Sequence, residues 1–247
     1  HDVLGARLVH TDAFDTDLFG SFTGEVAREG TQRDAARRKA EQGMALTGLP
    51  LGVASEGSFG PSPFGFGGWN AELVLFVDCE RGIEVAGVAQ GPAVDRSVVV
   101  RDPREVEAFV TAVGFPEQGI VLRGAGGELV KDARDRDALQ RAFERQRAHG
   151  DVTLETDLRA HRNPSRRVRI EEAARDLAQR LATRCPECAT PGFGPQRAET
   201  GLPCCACAMP SSLTRAVISG CVACSAERRT SAEERCADPA WCPRCNP

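Results

Sequence analysis

Ten of the eleven cysteines fall between Cys185 and Cys245, and eight of these form four C-x-x-C pairs. The pairs are Cys185/Cys188, Cys204/Cys207, Cys221/Cys224 and Cys242/Cys245, separated by 15, 13 and 17 residues. A C-x-x-C knuckle lets two thiolates reach one ion from a tight turn, and two knuckles complete a tetrahedron. Eight cysteines therefore predict two sites, each expected to hold one structural Zn²⁺. Four thiolate ligands leave no open coordination position, so catalytic zinc is not expected. The competing use of clustered cysteines is a disulfide framework or a redox pair. A redox C-x-x-C, however, normally occurs once beside a βαβ unit rather than four times. The pairing is open at this point. First knuckle with second and third with fourth is simplest; nested and cross-braced schemes also fit. Cys205 and Cys236 are left over, with Cys205 a competitor of Cys204, and Cys79 reads as an inert thiol at a core edge.

Upstream of Cys185 the composition is that of an ordinary folded domain. The 247-residue chain is 41% apolar, which is enough for a real core, and its net charge is −4. That balance argues against a nucleic-acid coat protein. No apolar run is long enough to span a bilayer; "LVLFV" and "SVVV" are strand-sized. "VLGARLV" predicts a short strand at 3–9. Thr31 with Asp34 predicts a capped helix through "AARRKAEQGMALT", ended by Gly48. "LPLGVA" predicts a buried strand running into a polar loop, "SEGSFGPSP". "AELVLFVD" and "GIEVAGVAQ" predict a hairpin about "CERG". Asp102-Pro103 opens a second helix. "GIVLRG" and "GGELVKD" read as strands, and "RDALQRAFERQRAHG" and "RIEEAARDLAQRLAT" as helices. The fold class expected is α/β, a mixed sheet with flanking helices over 1–183, followed by a double zinc-ribbon module over 184–247.

Three stretches of the first region are dense in potential chemistry. "FDTDLFGSFTGE" offers Asp15, Asp17 and Glu25, and "GVASEGSFG" offers Ser55, Glu56 and Ser58. "VTLETDLRAHRNPSRR" places Glu155, Asp157, Arg159 and His161 at alternate positions, one face if the stretch is a strand. Carboxylates hold Mg²⁺ or Mn²⁺ through oxygen, and Arg or Lys neutralises phosphate. Glu56, Glu155, Asp157 and His161 are thus the candidate catalytic residues, with Lys39, Arg159 and Arg166 the candidate phosphate contacts. The structural counterpart is that these charges form internal ion pairs. "FGFGGWN" lacks the setting of a phosphate loop and reads as a mobile loop.

"FDTDLFGSFTGEVAREGT", "ARRKAEQGM", "ASEGSFGP", "LETDLRAHRNPSR" and the terminal "CPRCNP" resemble an uncharacterised bacterial domain-of-unknown-function family across nearly the whole chain. Members of that family begin with a further strand carrying a Thr-x-His-Gly-Lys-Glu-like segment. The chain begins at His1, so residues upstream are expected. The order "GT", "AARRKA", "GVASEGSFG" is also similar to inosine/xanthosine triphosphate pyrophosphatases. That similarity implies Glu56 as a metal carboxylate and Lys39 as a helix residue near phosphates. Asp34-Ala35 stands where those enzymes have Asn, and they carry no cysteine tail.

Two functions follow as expectations. One is a divalent-metal-dependent nucleotide phosphohydrolase. The other is a non-catalytic module binding a nucleotide, another phosphorylated ligand or nucleic acid, with the zinc tail docking on a protein. Residues 185–247 carry six arginines, no lysine and six acids. Nucleic-acid affinity needs excess positive charge, so the tail reads first as a stabilising or protein-contact module. No membrane contact is expected, and the expected location is the cytoplasm.

Overall fold

The computed structural model describes residues 6–11, 13–14 and 29–247. In chain order these form α1 (Gln32–Thr47), β1 (Leu51–Pro61), β2 (Gly68–Asp78), β3 (Ile83–Ala93), β4 (Ser97–Val100), α2 (Pro103–Val113) and β5 (Ile120–Gly124). There follow β6 (Leu129–Val130), α3 (Arg136–Arg147), β7 (Val152–Thr156), α4 (Pro164–Ala182), β8 (Gly194–Thr200), β9 (Thr214–Gly220) and β10 (Glu227–Ser231). The described residues fall into two compact units. The larger is His10–Phe76 with Ala86–Asp176, and the cysteine-bearing one is His1–Val9 with Val77–Val85 and Leu177–Pro247.

The helix boundaries follow from local chemistry. The Thr31 hydroxyl accepts from the Asp34 amide while the Asp34 carboxylate receives the Thr31 amide, a closed capping box. Gly48 ends α1 in the left-handed conformation, at φ 69°. Asp102 caps α2 through the Arg104 and Glu105 amides, with Pro103 in the first turn. The amide bonds at Asp102, that of Glu105 first, hold its carboxyl below the usual range.

β1, β2 and β3 form a sheet in that order, and their short connections make it an antiparallel meander. α1 lies on one face and α4 on the other. Glu56 and Ser58 of β1 meet Lys39 and Gln32 of α1. The alternate positions Gly57 and Phe59 meet Arg166 of α4. α1 comes close because position 52 is glycine: a methyl group there would lie 2.6 Å from Met44 Sδ. The central strand β2 is covered on both faces, so Leu73, Val74 and Leu75 are buried in succession.

The second sheet has the order β4-β7-β5-β6, antiparallel at every pairing. Two crossovers interleave in it, β4-α2-β5 around β7 and β6-α3-β7 around β5. α2 and α3 cover one face, where Val106, Phe109, Val110, Leu139, Ala142 and Phe143 pack on Val100, Ile120, Leu122, Val152 and Leu154. Burying a side chain such as Phe143, wholly enclosed, stabilises by roughly 1.5–3 kcal/mol.

The structure corrects four expectations. The fold combines helices with separate antiparallel sheets, not one mixed sheet. Residues 6–9 form no strand. Residues 55–58 belong to β1, not to a loop after it. β7 ends at Thr156, so Asp157, Arg159 and His161 do not share a strand face with Glu155. Past Thr156 the backbone is drawn into another pattern. The Gln118 and Asn163 amides bind the Asp157 carbonyl, and Ala160–Arg162 forms a 3-10 turn. Asn163 then caps α4 by accepting from the Arg166 amide.

Candidate metal centres

Among the described residues, two groups bring metal-ligating side chains within 4.8 Å of one another. They are Cys185, Cys188, Cys221 and Cys224, and Cys204, Cys207, Cys242 and Cys245. The first knuckle is thus combined with the third and the second with the fourth, the cross-braced alternative rather than the simplest one. The cause is the meander β8-β9-β10. Gly194, Gly220 and Glu227 are aligned at one end of that sheet, whereas Thr200 pairs with Thr214 and Ser231 with Ala216 at the other. Each knuckle is separated from the next by one strand, so successive knuckles alternate between ends. A seven-residue strand such as β9 holds those ends about 20 Å apart. Neighbouring knuckles cannot share an ion.

The donor geometry suits a tetrahedral thiolate site. In the first cluster Cys185 and Cys224 Sγ lie 3.7 Å apart, and Cys188 and Cys221 Sγ 3.6 Å. In the second the separations are 3.9 Å for Cys204–Cys245, 3.6 Å for Cys207–Cys242 and 3.5 Å for Cys245–Cys207. A tetrahedron with metal–sulfur bonds of about 2.3 Å has edges of about 3.8 Å. Each knuckle is a closed turn. The Cys185 amide donates to the Thr190 carbonyl and the Cys204 amide to the Met209 carbonyl, both at 2.9 Å. The residues after the first two knuckles, Ala189 and Ala208, both stand at φ 59°. That conformation normally selects glycine. Amides also point at sulfur, from Ala206 to Cys204 at 3.4 Å and from Ala223 to Cys221 at 3.3 Å.

Charge within each cluster is unevenly held. The Thr190 hydroxyl, then the Thr190 amide, bring the Cys188 thiol down to about 6. The Cys245 amide is the main influence bringing Cys242 down to about 7. Cys224 stands at about 12: the lowering hydrogen bond of the Ala226 amide is outweighed by Cys188, burial and the remaining thiols. Cys207, burial and Cys204 raise Cys245 to about 12. Four sulfurs this close ionise together only with a cation among them. The apolar core of this unit is small, with Val77, Ile83, Val85, Leu177, Phe193, Leu202, Ala216, Ile218 and Ala237 as its buried members besides cysteine. So small a core needs a staple. The two leftover cysteines are joined to each other as a Cys205–Cys236 disulfide.

The candidate acids and bases of the larger unit are distributed as ion pairs. Lys39 Nζ lies 2.5 Å from Glu56 Oε2, on the α1 face of the first sheet. Arg166 is on the opposite face, gripping Glu72 through Nε at 2.6 Å and Nη2 at 3.0 Å. Its Nη1 donates to the Leu158 carbonyl at 2.6 Å. Asp157 is wholly buried and held by the Arg159 guanidinium at 2.7–3.1 Å. Asp157 comes first among the influences that hold the Arg159 guanidinium above its usual value. Glu155 pairs with Arg123 at 3.5 Å, and His161 is exposed. Asp15, Asp17 and Glu25 lie outside the described residues.

Sequence reasoning missed the partners that complete these pairs. Glu72 sits in the apolar run of β2, where nothing marks it except its charge. The Asn70 side-chain amide donates to it at 2.9 Å. Gln32 bridges the Glu56 and Ala71 carbonyls at 2.6 and 2.9 Å. Gly57 carried a signal of its own: a methyl group there would overlap Arg166 Nη2 and lie 2.7 Å from Glu72 Oε1.

No curated protein and no solved structure matches the chain significantly. One family does match, over residues 39–247, a span that takes in the ion-paired sheet and every cysteine of both clusters. The chain belongs to the family described as "Domain of unknown function (DUF6671)".

Proposed function

We propose that this protein is a non-catalytic binding module whose cysteine-bearing unit is built around two structural zinc ions and contacts a protein partner. The observation that carries the reading is the pair of all-thiolate donor sets at tetrahedral spacing. Soft sulfur ligands in fours suit Zn²⁺, and a closed shell leaves no position for substrate. The charge pattern of β8, β9 and β10 supports a protein surface over a polyanion. Arg197, Arg215 and Arg229 are all tied to Glu199, and Arg197 also to Glu227. Arginines neutralised in this way bring little counterion release on a phosphate backbone.

The alternative is the nucleoside triphosphate pyrophosphohydrolase-like hydrolase suggested by residue order. It requires carboxylate oxygens free to share Mg²⁺ or Mn²⁺. Glu56, Glu155 and Asp157 are each bound to a basic partner. The test is elemental analysis of the full chain with a nucleotide screen. We expect two zinc per chain, no metal-dependent hydrolysis of nucleoside triphosphates, and no retention on single-stranded DNA at low salt. Hydrolysis that Glu56→Gln or Asp157→Asn abolishes in a folded protein would overturn the reading in favour of the enzyme. Salt-sensitive DNA binding would overturn the choice of partner.

A further inference from the structure

The two metal clusters are closed by different means. At the first, the third knuckle lies within the six residues joining β9 to β10. It is fixed by the hairpin, whose Cys221 amide donates to the Ala226 carbonyl at 3.0 Å. At the second, the fourth knuckle begins only after residues 232–241, ten residues beyond the end of β10. No ladder between strands returns that segment; a single parallel bridge, Cys204 with Ala237, is all the pairing it has among the described residues. Instead it runs beside the second knuckle. The Cys205 amide donates to the Ala237 carbonyl at 2.9 Å, and the Ala237 amide to the Pro203 carbonyl at 2.8 Å. One covalent tie secures it there, the Cys205–Cys236 disulfide, which spans 31 residues. Cys205 lies between the ligands Cys204 and Cys207, and its residue is exposed.

We propose that Cys205–Cys236 is a thiol–disulfide exchange site that sets the metal affinity of the second cluster and leaves the first untouched. Its co-substrates are low-molecular-weight thiols. The thiolate of one attacks Cys205 Sγ, the S–S bond breaks, and Cys236 leaves as a thiolate. A second thiol attacks the outer sulfur of the mixed disulfide, releasing Cys205. Two molecules of thiol are oxidised to one disulfide, and the two electrons reduce the protein pair to two cysteines. Once the tie is open, metal binding at the second cluster must itself order the connection to the fourth knuckle, and the affinity falls. The first cluster, closed by its hairpin, feels no such change. This inference rests on the structural-zinc reading.

The experiment titrates the zinc-loaded full chain against a competing chelator in graded mixtures of reduced and oxidised glutathione, with free thiols counted by mass spectrometry. As the pair opens, one of the two zinc ions should weaken by at least about tenfold, the scale of a lost loop constraint, while the other holds. In the Cys205→Ser/Cys236→Ser protein one zinc should be weak in every mixture. The wild-type series stands alone if that variant does not fold. Two zinc affinities that stay level while the thiol count rises by two would overturn the proposal. So would a thiol count showing the pair reduced throughout. A chain that holds no zinc in any mixture would instead refute the structural-zinc reading beneath it.

Discussion

Replacing Glu72 by Gln tests the ion-pair account of the larger unit most sharply. Glu72 is wholly buried, and its partner Arg166 is 4% exposed. The substitution keeps the side chain's size and its contact with Asn70, yet removes the charge that two guanidinium nitrogens face at 2.6 and 3.0 Å. Arg166 keeps its bond to the Leu158 carbonyl and its place over the face of Phe59, 5.8 Å away, neither of which carries a compensating charge. Breaking a buried pair from one side costs about 3–5 kcal/mol, because a buried charge is left uncompensated. With a urea slope of about 2 kcal/mol/M, a loss of about 3 kcal/mol moves the midpoint down by about 1.5 M. The chain has two tryptophans, Trp69 in the larger unit and Trp241 in the cysteine-bearing one. Trp69 fluorescence in a Trp241→Phe background therefore reports the larger unit. The double change Glu72→Leu with Arg166→Met should recover much of the loss, since it removes both charges. A midpoint shift below about 0.5 M for Glu72→Gln would refute the reasoning, because water would then be solvating Arg166.

Gly57→Ala should destabilise the same region, since its methyl group meets Arg166 and Glu72; a unit as stable as the parent in urea would contradict this. Ala189→Gly and Ala208→Gly should each stabilise the zinc-loaded protein by about 1 kcal/mol, by relieving left-handed alanines at φ 59°; thermal melts should show higher midpoints. Zinc uptake at pH 7.5 should release at least one proton per cluster, because Cys224 and Cys245 stand at about 12 without metal. Affinity should accordingly rise with pH and fail as pH drops below about 6 at the first cluster and about 7 at the second, the values of Cys188 and Cys242. Calorimetry in buffers of different ionisation enthalpy checks this, and uptake heats independent of buffer would contradict it.

The eight clustered cysteines were legible because C-x-x-C spacing is itself the chemistry of a knuckle. Their partnering was not, because it depends on strands whose sequences are unremarkable: "GPQRAET", "TRAVISG" and "ERRTS" carry little apolar alternation. Once one strand stands between successive knuckles, the alternation of ends is forced. The caps at Thr31 and Asp102 were legible for the same reason as the knuckles, being satisfied within a few residues. The alternating charges of 155–161 misled because period two was read without a neighbour to pair with. β4 and β5 run out beside Glu155 and Thr156. Beyond them Arg159 and Asn163 turn to the Lys131 and Asp157 carbonyls and to the start of α4, while His161 is exposed. Glu72 was invisible because its partner lies 94 residues away.

Cysteine accessibility in the zinc-loaded Cys188→Ser protein tests the central claim, that knuckles one and three share one ion and two and four the other. After brief alkylation and peptide mass spectrometry, the account predicts the loss of one zinc. Cys185, Cys221 and Cys224 should be labelled, while Cys204, Cys207, Cys242 and Cys245 stay protected. Labelling of Cys204 and Cys207 with Cys221 and Cys224 still protected would contradict it.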